Sequence, residues 1–200
     1  MTSKGKGALA NTYPARFMRG FTIIELLMVI AIITILPVIV ISNFPRVKLQ
    51  FALSRAAHAF SQDARLAQDM ALSSLPHKDS FGISQKVGGY GIYLDTTALG
   101  NKTYLIYADR LPANNRYDAS DVVVRKIDMQ MAEPGVVIKG LGNVFLDKVS
   151  IHFSVGNAGV FISQLDDTSS GVEIIFALES DAAKTKSVFI NTSGLIEIRN

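Results

Sequence analysis

The hydrophobic pattern changes twice along the chain. From Phe21 to Ile41 apolar residues are almost continuous, broken by one ionisable residue, Glu25, and one proline, Pro37. From Leu49 the apolar positions space out to steps of three or four: Leu49, Leu53, Ala56, Phe60, Ala64, Ala67, Ala71 and Leu75. That is one face of a helix. Arg55, His58, Gln62, Arg65 and Asp69 lie mostly elsewhere on it, with Arg65 and Asp69 spaced to pair at i,i+4. Pro76 is the expected stop. From Ser80 the pattern becomes short β-branched and aromatic runs, at 90–95, 103–109, 121–129, 150–155, 160–163, 172–178, 187–191 and 195–199. Gly, Asn, Asp and Ser separate them, and Thr192-Ser193-Gly194 reads as the turn of a closing hairpin. The expected architecture is α+β, a long N-terminal helix packed on an antiparallel β-sheet domain. The alanines on the helix stripe suit close approach of a sheet.

The first run is long enough to matter as a membrane segment. A helix from Phe21 to Ile41 rises about 31 Å, the thickness of the hydrocarbon core. A secretory signal peptide fits poorly, because the run outlasts a usual apolar core and no small-x-small site follows it. Charge adds an orientation. Of the 20 Lys and Arg residues, Lys4, Lys6, Arg16 and Arg19 precede the run, and no acid accompanies them. The positive-inside rule then puts residues 1–20 in the cytoplasm and 46–200 outside. Without the leader, 16 basic residues face 17 acidic ones, so the formal charge of +3 falls to −1. A nucleic-acid partner is not expected from such a balance. The chain has no cysteine, which excludes disulfides and thiolate chemistry.

A plain anchor does not account for Glu25. A carboxylate in lipid costs on the order of a few kcal/mol, so it ordinarily has a partner. No neighbouring side chain supplies one. A cut between Gly20 and Phe21 would create an α-ammonium one helical turn away. Between staggered parallel helices, Glu25 of one subunit and the Phe21 amine of another would form a neutral pair that sets register.

The stretch Arg19-Gly20-Phe21-Thr22-Ile23-Ile24-Glu25-Leu26-Leu27 resembles the cleavage and methylation motif of type IV pilins and type II secretion pseudopilins. The resemblance implies a leader of residues 1–20, removed by a membrane prepilin peptidase that also N-methylates Phe21. It implies a hydrophobic assembly helix over 21–45, its amphipathic continuation over 46–76 and a β-rich globular domain over 77–200. Thr22 and Glu25 are the expected assembly residues. Pro37 and Pro45 are expected to interrupt the helix, since each removes a donor and crowds the preceding turn. On the family's pattern they mark a segment that extends when subunits leave lipid.

The implied function is that of a structural filament subunit, inserted in the inner membrane by one helix and then exported into a periplasmic or extracellular filament. Its implied partners are other pilin subunits, the prepilin peptidase and an inner-membrane assembly platform. The paired strands 187–191 and 195–199 also resemble minor pseudopilins of the H type, which gives an alternative role in type II secretion. A DNA-uptake pilin is a further alternative, without the basic patch it would need.

Nothing else in the chain suggests catalysis or a cofactor. His58, His77 and His152 fall on a helix, a loop and a strand without ligand spacing. Gly88-Gly89-Tyr90-Gly91 precedes a strand and reads as a turn rather than a phosphate cradle. The loop Asp166–Gly171 carries oxygen ligands of the kind calcium takes, but the expected reading is a solvated turn and no metal site. Residues 111–120, LPANNRYDAS, form the most polar loop.

Overall fold

A computed structural model describes residues 20–78, 82–156 and 159–199, without the side chains of Val40, Ser42, Asn43 and Arg46. Residues up to Arg19, expected to form the leader, lie outside the described residues. The chain forms two units, Met1–Asn43 and Phe44–Asn200.

One helix, α1, spans Ile23–Leu72. The interruptions expected at Pro37 and Pro45 are corrected, because α1 runs through both. Each proline removes one donor, but the hydrogen bonds of the flanking turns remain and carry the helix across. Among the described residues, no helix is long and apolar enough to cross a membrane. The run expected to do so passes through Val40, whose side chain is not described.

The C-terminal end of α1 also differs from expectation. The helix stops before Pro76, in a Schellman arrangement. Ser74 takes the left-handed conformation (φ 50°). Its N–H donates to Ala71 O at 3.0 Å, and the Leu75 N–H donates to Met70 O at 3.1 Å. These bonds satisfy carbonyls that the helix end would leave open. Leu75, expected on the buried stripe, therefore lies past the helix and is exposed. The other stripe residues from Leu53 to Ala71 are buried, joined by Ala52 and Ala57, while Leu49 is partly buried.

The second unit carries β1 (His77–Lys78), β2 (Ser84–Gln85), β3 (Val87–Asp95), β4 (Thr103–Arg110) and β5 (Val122–Asp128). A short α2 (Met129–Ala132) follows, then β6 (Val136–Gly142), β7 (Lys148–Ser154), β8 (Val160–Ile162), β9 (Gly171–Leu178), β10 (Asp181–Asn191) and β11 (Ile196–Arg199). β1 and β2 form a two-stranded ribbon. The rest divides into a five-stranded sheet, β5-β4-β3-β7-β8, and a four-stranded sheet, β11-β10-β9-β6. Every pairing is antiparallel. The single expected sheet is thus two, and both pack on the same stretch of α1. Phe60 shows this directly: its ring lies 5.0 Å from Tyr104 of the larger sheet and 5.5 Å from Phe176 of the smaller. Ion pairs tie α1 outward, Arg55 to Glu133 at the end of α2 at 2.6 Å and Asp63 to Arg125 of β5. The Arg65–Asp69 pair is not among the ion pairs of the described residues.

The glycine stretch 88–91 is a further correction. It lies inside β3, not in a turn. Residues alternate between the two faces of a strand. Tyr90, Ile92 and Leu94 belong to the core cluster with α1, so Gly89, Gly91 and Tyr93 point to the opposite face. Across the ladder Gly91 sits between Tyr107 and His152, and a Cβ on it would come within 2.7 Å of the Tyr107 ring. A Cβ on Gly89 would meet His152 at 2.4 Å. These glycines leave room for the two rings, a close approach only a residue without a side chain permits.

Candidate processing and assembly site

The motif sits where the chain enters α1. Gly20 and Phe21 precede the helix, and Phe21 is 83% exposed. A Cβ built on Gly20 would meet no atom of the described residues within 4 Å. Among the described residues, packing places no demand for glycine at this position.

Thr22 is the helix cap. Its Oγ1 accepts the Glu25 N–H at 3.3 Å, and its carbonyl accepts the Leu26 N–H at 3.1 Å. A threonine in this position satisfies one of the helix's open donors, worth about 1 kcal/mol. The spacing Thr22-x-x-Glu25 is that of a capping box, a signal present in the sequence and not used in reading it. Glu25 is the acidic residue of the first turn, where the helix dipole favours negative charge. Its carboxylate is exposed and has no ion-pair partner among the described residues. An α-ammonium at Phe21 would stand at the same, positive end of the dipole. A nearby carboxylate would offset that unfavourable placement.

The surface beyond the first turn is almost wholly apolar and uncovered. Ile23, Ile24, Leu26, Leu27, Met28, Ile33 and Val38 are each more than half exposed. Thr34, the polar residue inside this stretch, turns its hydroxyl onto its own helix, donating to Ile30 O and Ala31 O at 2.9 Å each. Such internal satisfaction suits surroundings that offer no partner.

The other residues singled out in the sequence do not join this site. His58 is exposed on α1 and His77 lies in β1. His152 is fully buried on the far face of the larger sheet. Asp166 spends its carboxylate on its own loop, accepting the Thr168 N–H and hydroxyl at 2.9 Å. No group of three or more His, Cys, Asp or Glu residues is placed to hold a metal among the described residues. The polar loop 111–121 is a cover rather than a free loop. Asp109 Oδ2 accepts the Asn115 N–H at 2.9 Å, Ser150 Oγ accepts the Tyr117 N–H at 3.1 Å, and the Tyr117 ring lies 5.3 Å from Tyr107. Beneath it His152 Nδ1 stands 3.6 Å from Asp109 Oδ2, and neither imidazole nitrogen has a hydrogen-bond partner among the described residues. Burial pushes His152 down to about 4, against a smaller upward pull from Asp121, and burial pushes Asp109 up.

No curated protein and no solved structure matches the chain. Residues 16–40 match the family model described as the prokaryotic N-terminal methylation motif. With Gly20 open, Phe21 exposed and Glu25 in the first turn of a bare apolar helix, the chain carries the prepilin-peptidase signal of type IV pilins and pseudopilins.

Proposed function

We propose that the chain is the precursor of a structural subunit of a type IV pilus or pilus-like filament, with a role in assembly rather than catalysis. The observation that carries this reading is the contrast along α1. The same helix buries its face against two sheets from Ala52 to Ala71 and leaves nearly every large apolar side chain bare from Phe21 to Ile41. So large an uncovered apolar surface calls for lipid, other helices, or each in turn. In this reading the helix first sits in the inner membrane, with 46–200 outside the cytoplasm. The sequence run 21–41, with its one ionisable residue, supports that placement. The peptidase cuts after Gly20 and methylates Phe21, and the subunit then enters the filament. There Glu25 meets a Phe21 amine, and the bare surfaces cover one another.

Mass spectrometry of subunits from sheared filaments tests this. The expected product begins at N-methylated Phe21. A subunit that keeps Met1–Gly20 in assembled material overturns the proposal. Gly20→Leu should leave full-length precursor in the membrane fraction with the globular domain folded, since Gly20 precedes α1 and a Cβ there meets no atom of the described residues within 4 Å.

A further inference from the structure

The far face of the larger sheet holds a groove that the assembly reading leaves unused. Tyr93 and Tyr117 form one wall, their rings 4.6 Å apart. Arg116 and Lys148 are exposed beside them, and Ser163 and Gln164 complete a space of about 180 Å³. Three features suit it to a ligand.

The first is charge. Neither Arg116 nor Lys148 has an ion-pair partner among the described residues, so both face the groove as free cations. Arg116 is steadied from the side, its guanidinium 5.7 Å from the centre of the Phe161 ring. The second is the disposition of the tyrosines. The Tyr93 hydroxyl is already committed, donating to Asp95 Oδ2 at 2.9 Å. The residue therefore offers its ring, not its hydroxyl. The third is backbone conformation. Gln164 and Asn115, one lining the groove and one preceding Arg116, are both left-handed at φ 61°. Non-glycine residues held there are uncommon and gather at binding sites.

We infer that this groove binds a sugar ring bearing one anionic group, a carboxylate or a phosphate. The cations take the anion through charge-assisted hydrogen bonds. Tyr117 is packed between Tyr93 and Tyr107, so the side of the Tyr93 ring turned away from Tyr117 takes the C–H face of the sugar, and the Gln164 amide lining the groove hydrogen-bonds ring hydroxyls. The space admits one such unit, well below the usual size of a pocket for a larger ligand. Two cations without a continuing basic stripe suit a single anionic unit rather than a long polyanion. The site lies on the sheet face opposite α1, so its occupancy does not depend on filament formation.

The test uses the full chain in detergent micelles. The chain has no tryptophan, and two of its six tyrosines, Tyr93 and Tyr117, line the groove, so a ligand there changes part of the tyrosine emission. The probes are glucuronate, ribose 5-phosphate and glucose. Glucuronate or ribose 5-phosphate should change the emission saturably, and the tighter of the two names the source of the anion. Glucose should bind at least tenfold more weakly. Arg116→Gln and Lys148→Gln, on separate segments, should each weaken the anionic probe about tenfold while leaving the thermal unfolding midpoint unchanged. Equal binding of glucose, no saturable response to either anion, or two folded variants that bind like the parent chain would each overturn the inference.

Discussion

Thr22 and Glu25 each serve the start of α1, and this makes the choice of substitution at Glu25 important. Glu25 stands at the third position of a capped helix as well as at the proposed subunit contact. Glu25→Gln keeps a polar side chain at the cap and removes only the charge, whereas Glu25→Val removes both. If pairing with the Phe21 amine governs assembly, both variants should insert, be cut after Gly20 and remain in the membrane. Breaking one half of a buried pair costs about 3–5 kcal/mol, enough to disfavour each docking step. Filament yield after shearing decides it; normal yield from Glu25→Gln would show that the charge is not needed. His152 permits a second test at this scale. Its folded pKa of about 4 lies below its ordinary 6.5. Between those values the unfolded chain holds a proton that the folded chain refuses. The favourable state is therefore fully present above pH 6.5, and stability falls as pH drops toward 4, by on the order of 3 kcal/mol. Asp109, raised by burial, acts in the opposite sense: its contribution is present below its ordinary range and fades as pH rises through its folded value. The net slope should be clearest just below pH 6.5. His152→Leu removes two unpartnered nitrogens and should flatten that slope in urea melts taken from pH 8 to 4. An unchanged slope would assign the acid sensitivity to other groups.

At the scale of elements, the amphipathic half of α1 and the two sheets stabilise each other, and Phe60 is where all three meet. Phe60→Ala in a fragment of residues 46–200 should cost about 3–5 kcal/mol, since the ring is fully buried between Tyr104 and Phe176. A shift near zero in the urea midpoint would mean that the helix contributes little to the domain. The helical stripe from Leu53 to Ala71 was legible because its spacing is long and regular. Leu75 was not, because the helix ends on a serine in a conformation more often given to glycine, and serine sends no such signal. Most strands were legible from their β-branched runs. β6 was missed because Gly135, Gly140 and Gly142 leave only Val136-Val137-Ile138 as an apolar run, too short to read without knowing that β9 lies beside it. The glycines of β3 misled for a related reason: they leave room for the Tyr107 and His152 rings, which come from the neighbouring strands β4 and β7.

For the whole molecule, the processing signal was legible in full, since glycine, phenylalanine and glutamate stand at fixed spacing ahead of a helix. The division of the domain into two sheets was not, because no local pattern tells which strands share a ladder. The prolines of α1 carry a consequence of another kind. The helix passes through Pro37 and Pro45 unbroken, yet the carbonyls of Ile33 and Ile41 lack the usual donor four residues on. In the proposed filament, load would run along such helices. Where a turn has one bond fewer to rupture, it yields at lower force, so α1 should stretch first over residues 33–45 while the sheet-packed half keeps its length. Replacing both prolines with alanine should stiffen the fibre, raising the force of its first extension in single-fibre pulling. An unchanged force would place the compliance elsewhere. A tether that lengthens before it breaks spreads a sudden pull over time.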